Sequence, residues 1–184
     1  MIYVLGRIGP AAAAAAALLG QYSTQGATLA LLTVTADRAV ADNYLAGRPE
    51  QPGRDLLALA LLTWLVEHGG LTARQHRQLR HLFRAPSFGQ VKSAGALWCQ
   101  EGPAVAAELL AVLPEYLSED LYGREALRVF AAMGPHARPI LDRLDRFVAA
   151  RHRVGMSIGD LDAEMRADET LHAAAIAARQ KIAE

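Results

Sequence analysis

Four arginines and two histidines fall within the stretch TARQHRQLRHLFR at 72–84. A guanidinium offers a planar fork of N–H donors that matches carboxylate and phosphate oxygens. Plotted as a helix at about 100° per residue, Leu79, Leu82 and Phe83 share one arc. Arg74, Arg77, Arg80 and Arg84 gather on the opposite side, with His81 beside them. Such a ridge can hold an acidic partner but supplies neither a nucleophile nor a general base. The charge is local: DLLALALLTWLVEH before it is apolar from Leu56 to Val66, and PAVAAELLAVLPEYL after it carries only Glu108 and Glu115. A solvated outer face is the default reading of a charged helix side. The contact reading rests on clustering, because neighbouring like charges on a helix repel and folding alone gives little reason to gather them. These five residues are the candidate partner-binding set.

Other chemistry-bearing residues do not assemble into a site. The histidines stand at 68, 76, 81, 136, 152 and 172. A helical zinc pair wants a spacing of four, whereas His76 and His81 are five apart. Asp160, Asp162 and Glu164 alternate like the opening of a calcium loop, but that loop wants Gly at its sixth place and Glu at its twelfth. Met165 and Leu171 stand there, so a solvated acidic loop preceding a helix is expected. Cys99, the single cysteine, is expected to be a buried, inert thiol. Trp64 and Trp98 are expected to pack in the core rather than form a stacking platform. No phosphate-cradling glycine loop and no nucleophile elbow occurs. No metal, cofactor or catalytic residue is assigned.

Composition sets the class. The chain has 184 residues, 52% hydrophobic and 21% charged, enough for one domain with a real core. Nineteen basic side chains balance nineteen acidic ones. Phosphate neutralisation drives nucleic-acid binding, so nucleic acid is not expected as a partner. One cysteine excludes an intrachain disulfide and fits a reducing cytoplasm. Lys occurs only at 92 and 181, and the wealth of Arg and Ala points to a GC-rich bacterial genome. The opening LGRIGPAAAAAAALLG is interrupted by Gly9-Pro10 and lacks a basic start or a small-residue cleavage site. Leu56–Val66 is too short to span a bilayer. Neither targeting nor membrane insertion is expected.

The elements that must position the arginines come from a repeat. RIGPAAA at 7–13 is echoed by QEGPAVA at 100–106, AMGPHAR at 132–138, EHGGLTA at 67–73 and, more weakly, VTADRAV at 34–40. The first residues of the five junctions are 9, 36, 69, 102 and 134, at intervals of 27, 33, 33 and 32. Such a period signals stacked units. Four residues before each junction stand Leu5, Leu32, Leu65, Trp98 and Phe130, all large and apolar. Gly closes a first helix in the left-handed conformation, and Pro opens a second. The alanine run is therefore the start of a second helix. Helices are expected near 1–8 and 10–20, 25–35 and 37–46, 54–68 and 72–84, 89–101 and 103–113, and 120–133 and 136–151. A last helix is expected over 168–182 with Asp168 as its N-cap.

LGRIGPAA, ALRVFAAMGPHARPIL and LWCQEGPAVAAELLAVL resemble the bacterial HEAT repeat, also called the HEAT/PBS-lyase-like repeat. The resemblance covers nearly the whole chain except 154–167. It implies an all-α solenoid of about five antiparallel helical pairs plus a C-terminal helix, as a single domain over 1–184. Met1 falls inside a first helix, which fits the C-terminal part of a longer protein. The Asp and Arg that HEAT units often repeat beside the turn do not recur cleanly, and the second unit lacks Gly-Pro. Second helices usually line the concave side of HEAT arrays, where the arginines would face a groove. The implied function is a non-enzymatic scaffold or adaptor whose concave surface binds a protein with an acidic segment. The alternatives are a HEAT-like enzyme, such as an alkylpurine-DNA glycosylase or a bilin lyase, and a structural segment of a larger multidomain protein.

Overall fold

A computed structural model of the chain describes residues 2–22, 24–51, 55–85, 88–118, 120–150 and 161–184. Among them the fold is all-α, with no β-strand. The α-helices are α1 (Ile2–Ile8), α2 (Ala16–Leu19), α3 (Gln25–Thr35), α4 (Arg38–Ala46), α5 (Leu56–Glu67), α6 (Ala73–Arg84), α7 (Phe88–Glu101), α8 (Ala106–Val112), α9 (Asp120–Met133), α10 (Leu141–Ala150) and α11 (Leu161–Ala183). The chain divides into two compact units, Met1–Leu82 and Phe83–Glu184.

Every repeated junction turns through a left-handed residue. Gly9, Gly102 and Gly134 have φ of 66°, 57° and 53°, and Gly69 and Gly70 have 140° and 78°. At the junction without glycine, Ala36 takes φ 50° and sends its N–H back to the Leu32 carbonyl at 2.8 Å. A β-carbon crowds the following carbonyl in that conformation, so Ala36 holds the turn at a steric cost glycine avoids.

The first N–H groups of the second helices are handled in two ways. After each Gly-Pro the chain runs as 3-10 helix, over Gly9–Ala15, Gly102–Val105 and Gly134–Ile140, without a side-chain cap. Proline removes one orphan donor and tightens the entry. Where proline is missing, a side chain caps instead. Asp37 accepts from Ala39 N at 2.9 Å. Thr72 and Gln75 form a reciprocal capping box: Thr72 Oγ1 accepts from Gln75 N at 3.3 Å, and Gln75 Oε1 accepts from Thr72 N at 2.9 Å.

Packing follows the repeated apolar positions. Leu32, Leu65 and Phe130 are buried, as are Leu61, Ala94 and Ala126 one turn earlier. In the first unit α1 packs on α3 and α3 on α5; in the second α9 packs on both α7 and α11. The second helices bury Leu19, Leu79, Leu82, Leu109, Leu113, Ile140 and Leu144.

Three expectations need correction. Trp98 is only half-buried, because its indole N–H reaches outward to the Ala132 carbonyl at 3.1 Å. Trp64 is likewise half-buried, stacked on His68 with ring centroids 4.2 Å apart. Cys99 is exposed: one residue past Trp98 turns it by about 100° away from the core. The last helix spans Leu161–Ala183 among the described residues, so Asp168 lies within it and is no N-cap. LDAEMRADE is made mostly of good helix formers, which outweigh its two Asp residues, so 161–168 continues as helix rather than loop. Met1, His152 and Asp160 lie outside the described residues.

Candidate functional site

Helix α6 buries Leu79, Leu82 and Phe83, the arc expected to face inward. It also buries Gln75 and Gln78, which the apolar pattern did not single out. Gln78 Nε2 donates to the carbonyls of Leu45 at 3.3 Å and Pro49 at 3.1 Å, closing the end of α4. Gln75 Nε2 donates to Asp42 Oδ1 at 2.7 Å. Asp42 also receives Arg38 Nε at 3.1 Å, and Arg38 Nη1 reaches the Gly70 carbonyl at 3.0 Å. These bonds fix the rotation of α6 against the preceding pair, and with it the direction of the arginine side.

Arg74 and Arg77 converge on the connection after α4. Arg77 pairs with Glu50, Nη2 to Oε1 at 2.8 Å and Nε at 3.3 Å. Arg74 Nη2 donates to the Arg48 carbonyl at 2.6 Å. Arg48 pairs with Asp55 at 3.4 Å, lies 4.5 Å over the Tyr44 ring and donates to its hydroxyl at 2.6 Å. The Tyr44 hydroxyl in turn donates to Asp55 Oδ2 at 3.1 Å. Burial, then the Asp55 carboxylate, push the Tyr44 phenol above its ordinary pKa. The Arg77 bond and charge hold Glu50 below the ordinary carboxylate value.

Arg74 and Arg77 remain exposed, Arg77 by 57% of its side chain. Arg80 and His81 are half-buried. Arg84 belongs to the second unit, where it is 69% exposed and lies 3.8 Å from Glu108. Intramolecular acceptors thus supply part of the reason for the clustering. Arg48 and Glu50 were not singled out in the sequence. Their place beside α6 comes from the path of a connection rich in Gly and Pro, which has no periodic pattern to reveal it.

A second candidate is an open depression of about 370 Å³ lined by Arg143, Arg146, Phe147 and Ala150. Both arginines have internal acceptors, Glu115 Oε1 at 3.1 Å for Arg143 and the Asp142 carbonyl at 3.2 Å for Arg146. Among the described residues no group of three or more His, Cys, Asp or Glu side chains is placed to hold a metal. Gly89–Leu117 is long and apolar enough to cross a membrane by length and composition, but the left-handed turn at Gly102 interrupts it.

Comparison with protein-family models, curated proteins and solved structures finds no match to this chain.

Proposed function

We propose that this chain is a HEAT-like helical-repeat module, a solenoid of stacked pairs, that acts as a non-enzymatic adaptor for a protein with an acidic segment. The architectural part is supported by left-handed residues at all five junctions of one sequence period. The functional part is carried by the tethering of Arg74 and Arg77. Each guanidinium is held at one edge by an internal acceptor, and both residues are exposed. Arginine has five N–H donors, and these bonds use one in Arg74 and two in Arg77. The remaining donors are oriented in advance, so a carboxylate partner would bind with less loss of side-chain freedom. The lone cysteine suits a cytoplasmic setting.

A structural role is the second reading, because the same bonds fasten α6 to the connection after α4. One experiment separates the two. A fluorescently labelled Asp/Glu-rich peptide and a labelled DNA duplex are titrated with the chain at low and moderate salt. The adaptor reading expects peptide binding that weakens as salt rises and drops more than about tenfold in Arg74→Glu/Arg77→Glu, with little change in melting temperature. Equal peptide affinity in the double variant, with a lowered melting temperature, would support the structural reading. Duplex binding lost in the double variant would favour a HEAT-like DNA enzyme.

A further inference from the structure

Three guanidiniums stand on or beside the connection after α4, and their partners differ in charge. Arg77 places Nε and Nη2, its side-on pair of N–H groups, on Oε1 of Glu50. Arg48 pairs through Nε with Asp55 at 3.4 Å. Arg74 bonds instead to a neutral group, the Arg48 carbonyl. Three positive charges are thus set against two carboxylates, and the balance lies at Arg74.

The two carboxylates are not equivalent. Asp55 is committed to the helix start: it caps α5 at Ala58 N at 2.9 Å and accepts the Tyr44 hydroxyl at 3.1 Å. Glu50 bonds to Arg77 alone among the described residues, and its side chain is 52% exposed. The Arg77 bond and charge, and further the Arg74 charge, lower its pKa, so it is ionised at neutral pH. Glu50 therefore brings a negative charge to the exposed arginine side, next to the guanidiniums offered to a partner.

Repulsion from Glu50 grows with the charge of the incoming anion. An Asp or Glu side chain carries a single negative charge and is satisfied by one pair of N–H groups. A phosphorylated side chain carries about −1.5 to −2 at pH 7 and has three oxygens to satisfy. Phosphate-reading sites meet that demand with clusters of arginines. Here the side-on fork of Arg77 is taken and its charge is offset, which leaves enough for a carboxylate and too little for a phosphate.

We infer that Glu50 is a specificity-determining residue of this site, suiting it to the carboxylates of Asp and Glu and setting it against phosphorylated side chains. The inference rests on the acidic-partner reading. Two labelled peptides test it by fluorescence anisotropy: an Asp/Glu-rich peptide, and the same peptide with one central Glu replaced by phosphoserine. The wild-type chain is expected to bind the phosphorylated form no more tightly than the other. Glu50→Gln keeps an oxygen for Arg77 and removes the charge. It should raise affinity for the carboxylate peptide by about two- to threefold, and for the phosphorylated form by about threefold more, the size of one unit-charge repulsion across several ångströms of solvent. A wild-type chain that prefers the phosphorylated peptide by more than about threefold overturns the inference. So does a Glu50→Gln chain whose two affinities shift equally. In both cases peptide binding itself leaves the acidic-partner reading standing. Binding of neither peptide, by the wild-type chain or the variant, overturns that reading and the inference with it.

Discussion

Arg38 Nη1 donates to the carbonyl of Gly70 at 3.0 Å, across a sequence separation of 32 residues. The donor opens one second helix and the acceptor closes the next first helix. One side chain thus spans one repeat period and ties adjacent junctions. Its Nε holds Asp42 at the same time.

Replacing Arg38 with Ala removes these two bonds and a longer one from Nη2 to Gln75 Oε1 at 3.5 Å, and leaves Asp42 to Gln75 alone. A loss of about 1–2 kcal/mol is expected for charge-assisted bonds that are partly solvated. Arg38→Lys should restore less than half of it, since one ammonium cannot reach both acceptors in the fork geometry. Urea denaturation followed by circular dichroism measures both, and an unchanged midpoint for Arg38→Ala would refute the tie.

At the neighbouring turn, Ala36 sits at φ 50°. Glycine relieves the steric penalty at some cost in unfolded-chain entropy. Ala36→Gly should therefore stabilise by about 0.5–1 kcal/mol. A thermal melt should rise by about 1–4 °C for a chain of this size. A lower melting temperature would show that the backbone at this junction relaxes elsewhere.

Phe130 is fully buried in α9, at the position one turn before the Gly134 junction. Phe130→Ala should cost about 3–5 kcal/mol from lost burial and the cavity left behind. Chemical denaturation would read this, and a loss below about 1 kcal/mol would contradict its core role.

The Arg77–Glu50 pair gives a pH signature. Arg77 lowers the Glu50 pKa in the folded chain, so the pair's contribution is present above the ordinary carboxylate pKa. It is lost as pH falls through the folded value. An NMR titration of the Glu50 carboxyl should show a depressed midpoint that returns toward 4.5 in Arg77→Ala. Because both groups are exposed, rising salt should reduce the depression. A midpoint unmoved by the substitution would dissolve the pair.

The repeat made the fold readable because its cause is local. Residues that accept a left-handed turn, and a large apolar residue four positions earlier, are visible without any tertiary information. Even Ala36, with no glycine to mark it, was placed in register by the interval and by the Leu32 that precedes it. Trp98 misled because size alone does not show that an indole N–H needs an acceptor and draws the ring toward the edge. Asp168 misled because a good capping residue is also tolerated inside a helix that begins earlier. At α6, the arc of Leu79, Leu82 and Phe83 was legible from periodicity. The anchoring of Arg74 and Arg77 was not, since Arg48 and Glu50 lie on an irregular connection whose path depends on the packing of Gln78 and Tyr44.

The turns at Gly102 and Gly134 discriminate chirality rather than size. A β-carbon at Gly102 would meet nothing within 4 Å, and one at Gly134 would come only to 4.0 Å of the Lys181 carbonyl. There is room for a methyl group at both places, and only the hand of the α-carbon makes an L-residue costly there. A chain assembled by chemical synthesis with D-alanine at these two positions should accept the mirror-image centre without strain. It should melt higher than the natural chain, because a D-residue already favours the conformation that glycine must be held in.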